Sequence, residues 1–152
     1  MSKNSKIAIS IISVIVVAVL GSVFVNIGMD WFNELYKPSQ WISNIVIPIM
    51  WTIIYIIAGI ILYLWFKRGD VPKTTLTLFI INGILNVLWC LTFFTLNLTF
   101  IGNIVIVLNL IAGILLWMSV NRYEKIYSYY LSIYPIWLSL ATTLNLALWI
   151  LN

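Results

Sequence analysis

The chain contains no histidine and a single cysteine, Cys90. With no imidazole and one thiol inside an apolar segment, neither a zinc site nor an intrachain disulfide can be assembled. The usual axial ligand of haem iron is missing too, and Cys90 has no evident activating group beside it. Charge is also scarce: 8% of the 152 residues are charged, and none of these lies well inside a long apolar run. Ion-coupled carriers, proton relays and voltage sensors depend on intramembrane charge, so this absence argues against all three. It also removes general acid–base pairs and hydrolytic triads. A soluble domain, a heptad coil and a convincing internal repeat are absent as well, and the last argues against an inverted-repeat transporter.

Apolar residues are abundant. They make up 63% of the chain and the mean hydropathy is +1.10, which places it among membrane proteins. Apolar runs at about 7–27, 45–66, 76–96, 100–120 and 128–151 are each long enough to cross a hydrocarbon core about 30 Å thick. The expectation is an all-α integral membrane protein, a five-transmembrane-helix bundle forming a single domain over 1–152, with one long loop at about 28–44. The few residues around "NLT" predict a tight hairpin between the third and fourth spans. Lys3, Lys6, Lys67, Arg68, Lys73, Arg122 and Lys125 fall on one face and Lys37 alone on the other, so the positive-inside rule puts the N-terminus in the cytoplasm. The net charge of +4 is thereby explained by topology and anionic lipid rather than by nucleic acid.

The polar and aromatic residues within the spans are the candidates for function. Asn82, Asn86, Trp89 and Phe93 fall in one helical stripe of the third span. Trp51, Tyr55, Ala58 and Leu62 form a stripe in the second span, and Trp137, Ala141, Leu144 and Leu148 one in the fifth, with Asn145 at its edge. If these stripes converge, they enclose an apolar pocket with aromatic walls and a few amides, suited to a large, flat, mostly hydrophobic ligand. Each Asn taken alone has an equally physical explanation as a hydrogen bond between helices. Trp65, Trp117 and Trp149 lie near span ends and are expected to anchor the bilayer interface. Small residues at Ala18, Gly21, Ser22, Gly102, Ala112 and Gly113 permit close packing between or within chains.

Three segments carry a resemblance. "PIMWTIIY" (Pro48 to Tyr55) is similar to P-x-V-W-T-x-L-Y, "NGILNVLWCLTFF" (Asn82 to Phe94) to Q-L-x-L-N-x-x-W-x-x-x-F-F, and "YPIWLSLATTLNLALWILN" (Tyr134 to Asn152) to P-Y-x-x-W-x-x-x-A-x-x-L-N-x-x-x-W-x-x-N. In this order, within five spans, they resemble the TspO/MBR family of tryptophan-rich sensory proteins, which includes the mitochondrial translocator protein, or peripheral benzodiazepine receptor. Asn82 stands where the family usually has Gln, and the sterol-recognition stretch of animal members has no counterpart after the fifth-span Leu-Asn.

The resemblance implies a homodimeric bundle in a bacterial cell membrane, with a ligand pocket between helices beneath the long loop. It implies binding of protoporphyrin IX as ligand or substrate, with no required cofactor, and of isoquinoline carboxamide or benzodiazepine drugs. Light- and oxygen-dependent porphyrin degradation is a further implied activity, in which Trp51 and Trp137 match the catalytic tryptophans. The ligand-binding set it implies, joined to the stripes above, is Trp31, Phe32 and Leu35 in the loop, Trp51 and Tyr55, Asn82, Asn86, Trp89 and Phe93, and Trp137, Ala141 and Leu144. A carrier or channel for porphyrin or lipid is the alternative function.

Overall fold

A computed structural model describes residues 2–39 and 41–152, so Gln40 of the expected loop lies outside the described residues. Among the described residues, seven α-helices form: α1 (Lys3–Ile27), α2 (Met29–Glu34), α3 (Val46–Arg68), α4 (Lys73–Trp89), α5 (Thr99–Tyr123), α6 (Lys125–Leu131) and α7 (Ile133–Leu151). A π-helical segment, Cys90–Thr95, continues α4. Five spans result, as expected: α1, α3, α4 with the π-helical segment, α5, and α6 with α7. All five extend past the expected runs at the end that carries the cations, because a helix satisfies its backbone internally and continues into the interface until a capping residue stops it. The one element that hydropathy did not indicate is α2, a short helix in the loop.

α1 packs on α3, α4 and the π-helical segment, α4 on α5, α5 on α6 and α7, and α3 on α6 and α7. The helices thus close a ring in which the backbones of α3 and α4 stay apart. The outside of the ring is aliphatic, with Ile12, Val19, Ile56, Ile80, Ile104 and Ile111 all exposed, as lipid contact requires. The inside is mixed. Asn82, Asn86, Asn103, Asn109 and Asn145 are buried beside Phe93, Trp89 and Trp137. Span hydroxyls such as Ser13, Thr52 and Thr142 bond the carbonyl four residues back, which satisfies them without a second helix.

The π-helical segment has an identifiable effect. The Leu96 amide donates to the Leu91 carbonyl at 2.9 Å, a five-residue step that accommodates one extra residue in the turn. The consecutive residues Phe93 and Phe94 are consequently both buried, with rings 5.0 Å apart, although they are about 100° apart on a regular α-helix. Asn97 then takes the left-handed conformation (φ 56°), which Asn tolerates, and the hairpin closes onto α5. Three of the small residues pack within the chain: Gly102 lies against Phe93, Gly113 against Leu138 and Tyr134, and Gly21 near Cys90 and Tyr55.

The charged ends meet as the positive-inside assignment assumed. Lys6 pairs with Asp70, and Arg68 with Glu124 at 3.5 Å, so the start of α1, the α3–α4 turn and the α5–α6 turn share one end of the bundle. Trp65 departs from expectation. It is buried, with its ring 5.7 Å from that of Tyr127, because α6 begins earlier than its hydropathy suggests and covers it. Trp149 is exposed, and Trp117 donates its indole N–H to the Ser128 carbonyl.

Candidate functional site

The space left between α3 and α4 is a cavity of about 620 Å³. α1 walls it with Val14 and Val17, α3 with Ile54, Tyr55, Ala58 and Leu62, and α4 with Leu76, Phe79, Asn82 and Asn86; Leu116 and Tyr134 close its far side. Of the residues singled out in the sequence, Tyr55, Asn82 and Asn86 line this cavity. Trp51, Trp89, Phe93, Trp137, Ala141, Leu144, Trp31, Phe32 and Leu35 do not.

Most of those residues instead form a layer between the cavity and the loop. The Trp51 ring lies 5.9 Å from Tyr55 and 5.8 Å from Trp89, which is 6.3 Å from Phe93. Trp31 meets Phe93 edge-on at 5.6 Å, and Phe32 is buried 5.2 Å from Phe94. Ala141 belongs to the same core cluster. Among the described residues, the indole N–H groups of Trp89 and Trp137 and the amide nitrogen of Asn103 are buried without a partner. Such groups cost free energy unless something accepts their hydrogens.

The amides of α4 have partners. Asn82 donates to the carbonyls of Leu78 (2.7 Å) and Ala112 (3.1 Å). Asn86 donates to the Asn82 carbonyl (3.0 Å) and the Tyr134 hydroxyl (2.9 Å), and accepts from Asn109 (3.1 Å). Oxygens of Asn82 and Asn109 stand 3.0 and 3.2 Å from the Tyr134 hydroxyl, whose one proton serves either. Every N–H of Asn82 and Asn86 is therefore used by the protein, and both residues hold α4, α5 and α7 together. Towards the cavity they offer only acceptor lone pairs, whereas the Tyr55 hydroxyl makes no hydrogen bond among the described residues. The sequence singled out neither Asn109 nor Tyr134 as a site residue, although a lone amide in an apolar run was a readable signal at Asn109.

The loop is latched over the aromatic layer. Asn152 at the C-terminus accepts from the Tyr36 amide (2.8 Å) and donates to the Tyr36 carbonyl (3.0 Å), as a neighbouring strand would. Lys37 donates to the carbonyls of Phe32 (2.8 Å) and Leu35 (3.3 Å) and sits 4.7 Å from the centre of the Phe32 ring. Partial burial lowers the Lys37 pKa below its ordinary value. Asn152→Ala removes both latch bonds and is expected to speed protease cleavage at 35–45 while leaving the melting temperature within a few degrees of wild type. Equal cleavage rates would show that the latch does not hold the loop.

Comparison with known proteins completes the description. The profile of the TspO/MBR family matches residues 9–150. A tryptophan-rich protein TspO of Archaeoglobus fulgidus is 31% identical over 150 residues, 97% of each chain. Proteins of the same description in Chlorobaculum tepidum and Bacillus cereus are 31% identical over 137 residues (87% of this chain, 86% of the relative) and 27% identical over 134 residues (88% of each). A match across nearly the whole chain, on a bundle of five spans with a tryptophan-rich layer, assigns this integral membrane protein to the TspO/MBR family.

Proposed function

We propose that this protein is a membrane receptor for a large, flat, mostly hydrophobic ligand of the tetrapyrrole class, with protoporphyrin IX as the ligand to test. The observation that carries this reading is the cavity: its 620 Å³ falls within the range of about 300–1,000 Å³ common for ligand sites, and its walls are largely aliphatic. Tyr55 contributes a free hydroxyl, the layer above contains Trp51 and Trp89, and Trp89 and Trp137 each bury an unpartnered indole N–H. Stacking on an indole contributes about 1 kcal/mol per ring beyond area burial. Isoquinoline carboxamide and benzodiazepine ligands share this flat, apolar character and compete for the same space. The cation-rich end faces the cytoplasm.

A second reading, light-driven degradation of bound porphyrin with molecular oxygen as oxidant, is favoured by the contact between Trp51 and Trp89. That contact brings an oxidisable indole pair next to the cavity-lining Tyr55.

Titrating the detergent-purified protein with protoporphyrin IX in the dark is expected to quench Trp fluorescence saturably. Absence of saturation would overturn the receptor reading. On illumination, stable porphyrin absorbance bands leave the protein a receptor alone. Protein-dependent loss of those bands, slowed in Trp51→Phe and Trp137→Phe, makes it a photo-oxidative enzyme as well.

A further inference from the structure

The end of the cavity away from the loop has features that a tetrapyrrole does not require. Its mouth carries Lys6, Asp70 and Lys73, where α1 and α4 begin. Asp70 pairs with Lys6, while Lys73 has no acidic partner among the described residues, so the mouth carries one net positive charge. From Lys73 to Asn86, α4 runs about 20 Å at about 1.5 Å per residue. The cavity therefore extends from the head-group level past the middle of a hydrocarbon core about 30 Å thick.

The cavity also opens sideways. α1 and α4 approach at Val17 and Gly83, where an added Cβ would lie 3.2 Å from the Val17 side chain. On this side the cavity-lining Ile9, Ile80 and Ile84 are all more than half exposed, so the cavity wall between α1 and α4 is also outer surface of the bundle. An acyl chain can pass through such a slot without leaving the bilayer. At the inner end, Asn82, Asn86 and Tyr134 are already hydrogen-bonded to one another and ask nothing polar of the chain's terminus.

We infer that this cavity holds one acyl chain of an anionic phospholipid from the surrounding leaflet, with its singly charged phosphodiester head against Lys6 and Lys73. The slot between α1 and α4 leaves the second chain in the bilayer. The single net cation at the mouth matches one phosphodiester, and a zwitterionic lipid, whose head is neutral overall, gains less from it. The inference goes beyond the tetrapyrrole reading and stands whether or not a porphyrin binds.

Native mass spectrometry tests it on full-length protein exchanged into detergent containing equimolar phosphatidylglycerol and phosphatidylcholine. One phosphatidylglycerol per chain is expected to remain bound, favoured about fivefold over phosphatidylcholine. Lys73→Ala changes an exposed residue and leaves the fold intact; it should remove most of that preference. Ala58→Phe projects a ring into the cavity and should abolish retention of both lipids. Equal retention of the two lipids by wild type, or an unchanged preference in Lys73→Ala, would overturn the inference. So would full retention in Ala58→Phe, because the lipid would then sit on the outer surface.

Discussion

Replacing Gly28 with Ala is expected to unseat the loop and cost about 3 kcal/mol or more of stability. Gly28 is buried at the elbow between α1 and α2, and an added Cβ would lie 1.9 Å from the carbonyl oxygen of Phe94 and 2.4 Å from its carbon. The obstruction is backbone of the π-helical segment, not the free end of a side chain, so relief requires moving the elbow by an ångström or more. That movement breaks the bond from the Thr95 hydroxyl to the Phe24 carbonyl (2.8 Å). It also separates Trp31 from Phe93 and Phe32 from Phe94.

The control is Gly59→Ala in α3, where an added Cβ meets nothing within 4 Å. Ala is the better helix former by about 1 kcal/mol, so that variant should match or exceed wild type. Thermal melting in detergent, with protease sensitivity of the loop as a second readout, compares the two. Equal stability of both variants would mean that the elbow and the π-helical segment are not rigidly apposed.

The second large effect is expected for Asn86→Leu. The substitution removes the two bonds that Asn86 donates and the one it accepts, and leaves the Asn109 amide nitrogen buried without its partner. A single bond between membrane helices contributes about 0.6 kcal/mol on average and up to about 1.7. A stranded buried donor costs about 1–3 kcal/mol. Together these give about 2–3 kcal/mol, measurable by reversible unfolding in sodium dodecyl sulfate. Tyr134→Phe should cost less, because Asn82 keeps its bonds to Leu78 and Ala112. Thr143→Val is the baseline, since its hydroxyl is exposed and bonds only the Leu140 carbonyl of its own helix. An Asn86→Leu cost equal to that of Thr143→Val would show that the network adds nothing to the bundle.

The same geometry addresses whether Asn82 and Asn86 serve packing or ligand. Their hydrogens all go to protein acceptors, so packing accounts for their donors, and any ligand in the cavity meets them only as acceptors. The Tyr55 hydroxyl and the indoles of Trp89 and Trp137 are among the donors left over. Ligand discrimination is therefore expected to depend more on Tyr55 and the tryptophans than on the amides.

The amino-acid sequence by itself determined the five spans, their limits within a few residues and the hairpin at Leu96–Leu98. In a bilayer each segment must satisfy its own backbone, so an apolar run of sufficient length becomes a helix whatever its neighbours do. It also determined that Asn82, Asn86, Trp89 and Phe93 share a face, because helical periodicity is local.

The tertiary structure alone decided what that face meets. Helices that are apolar on every side carry no hydrophobic gradient to say which side turns inward, so the partners of Asn86, on α5 and α7, depend on how three helices cross. The extra residue in the turn after Trp89 turns both Phe93 and Phe94 inward, and no periodicity marks it. The cavity lies where α3 and α4 fail to touch, beside the tryptophan layer and not within it, because α1 holds those two helices apart over the length of its own packing.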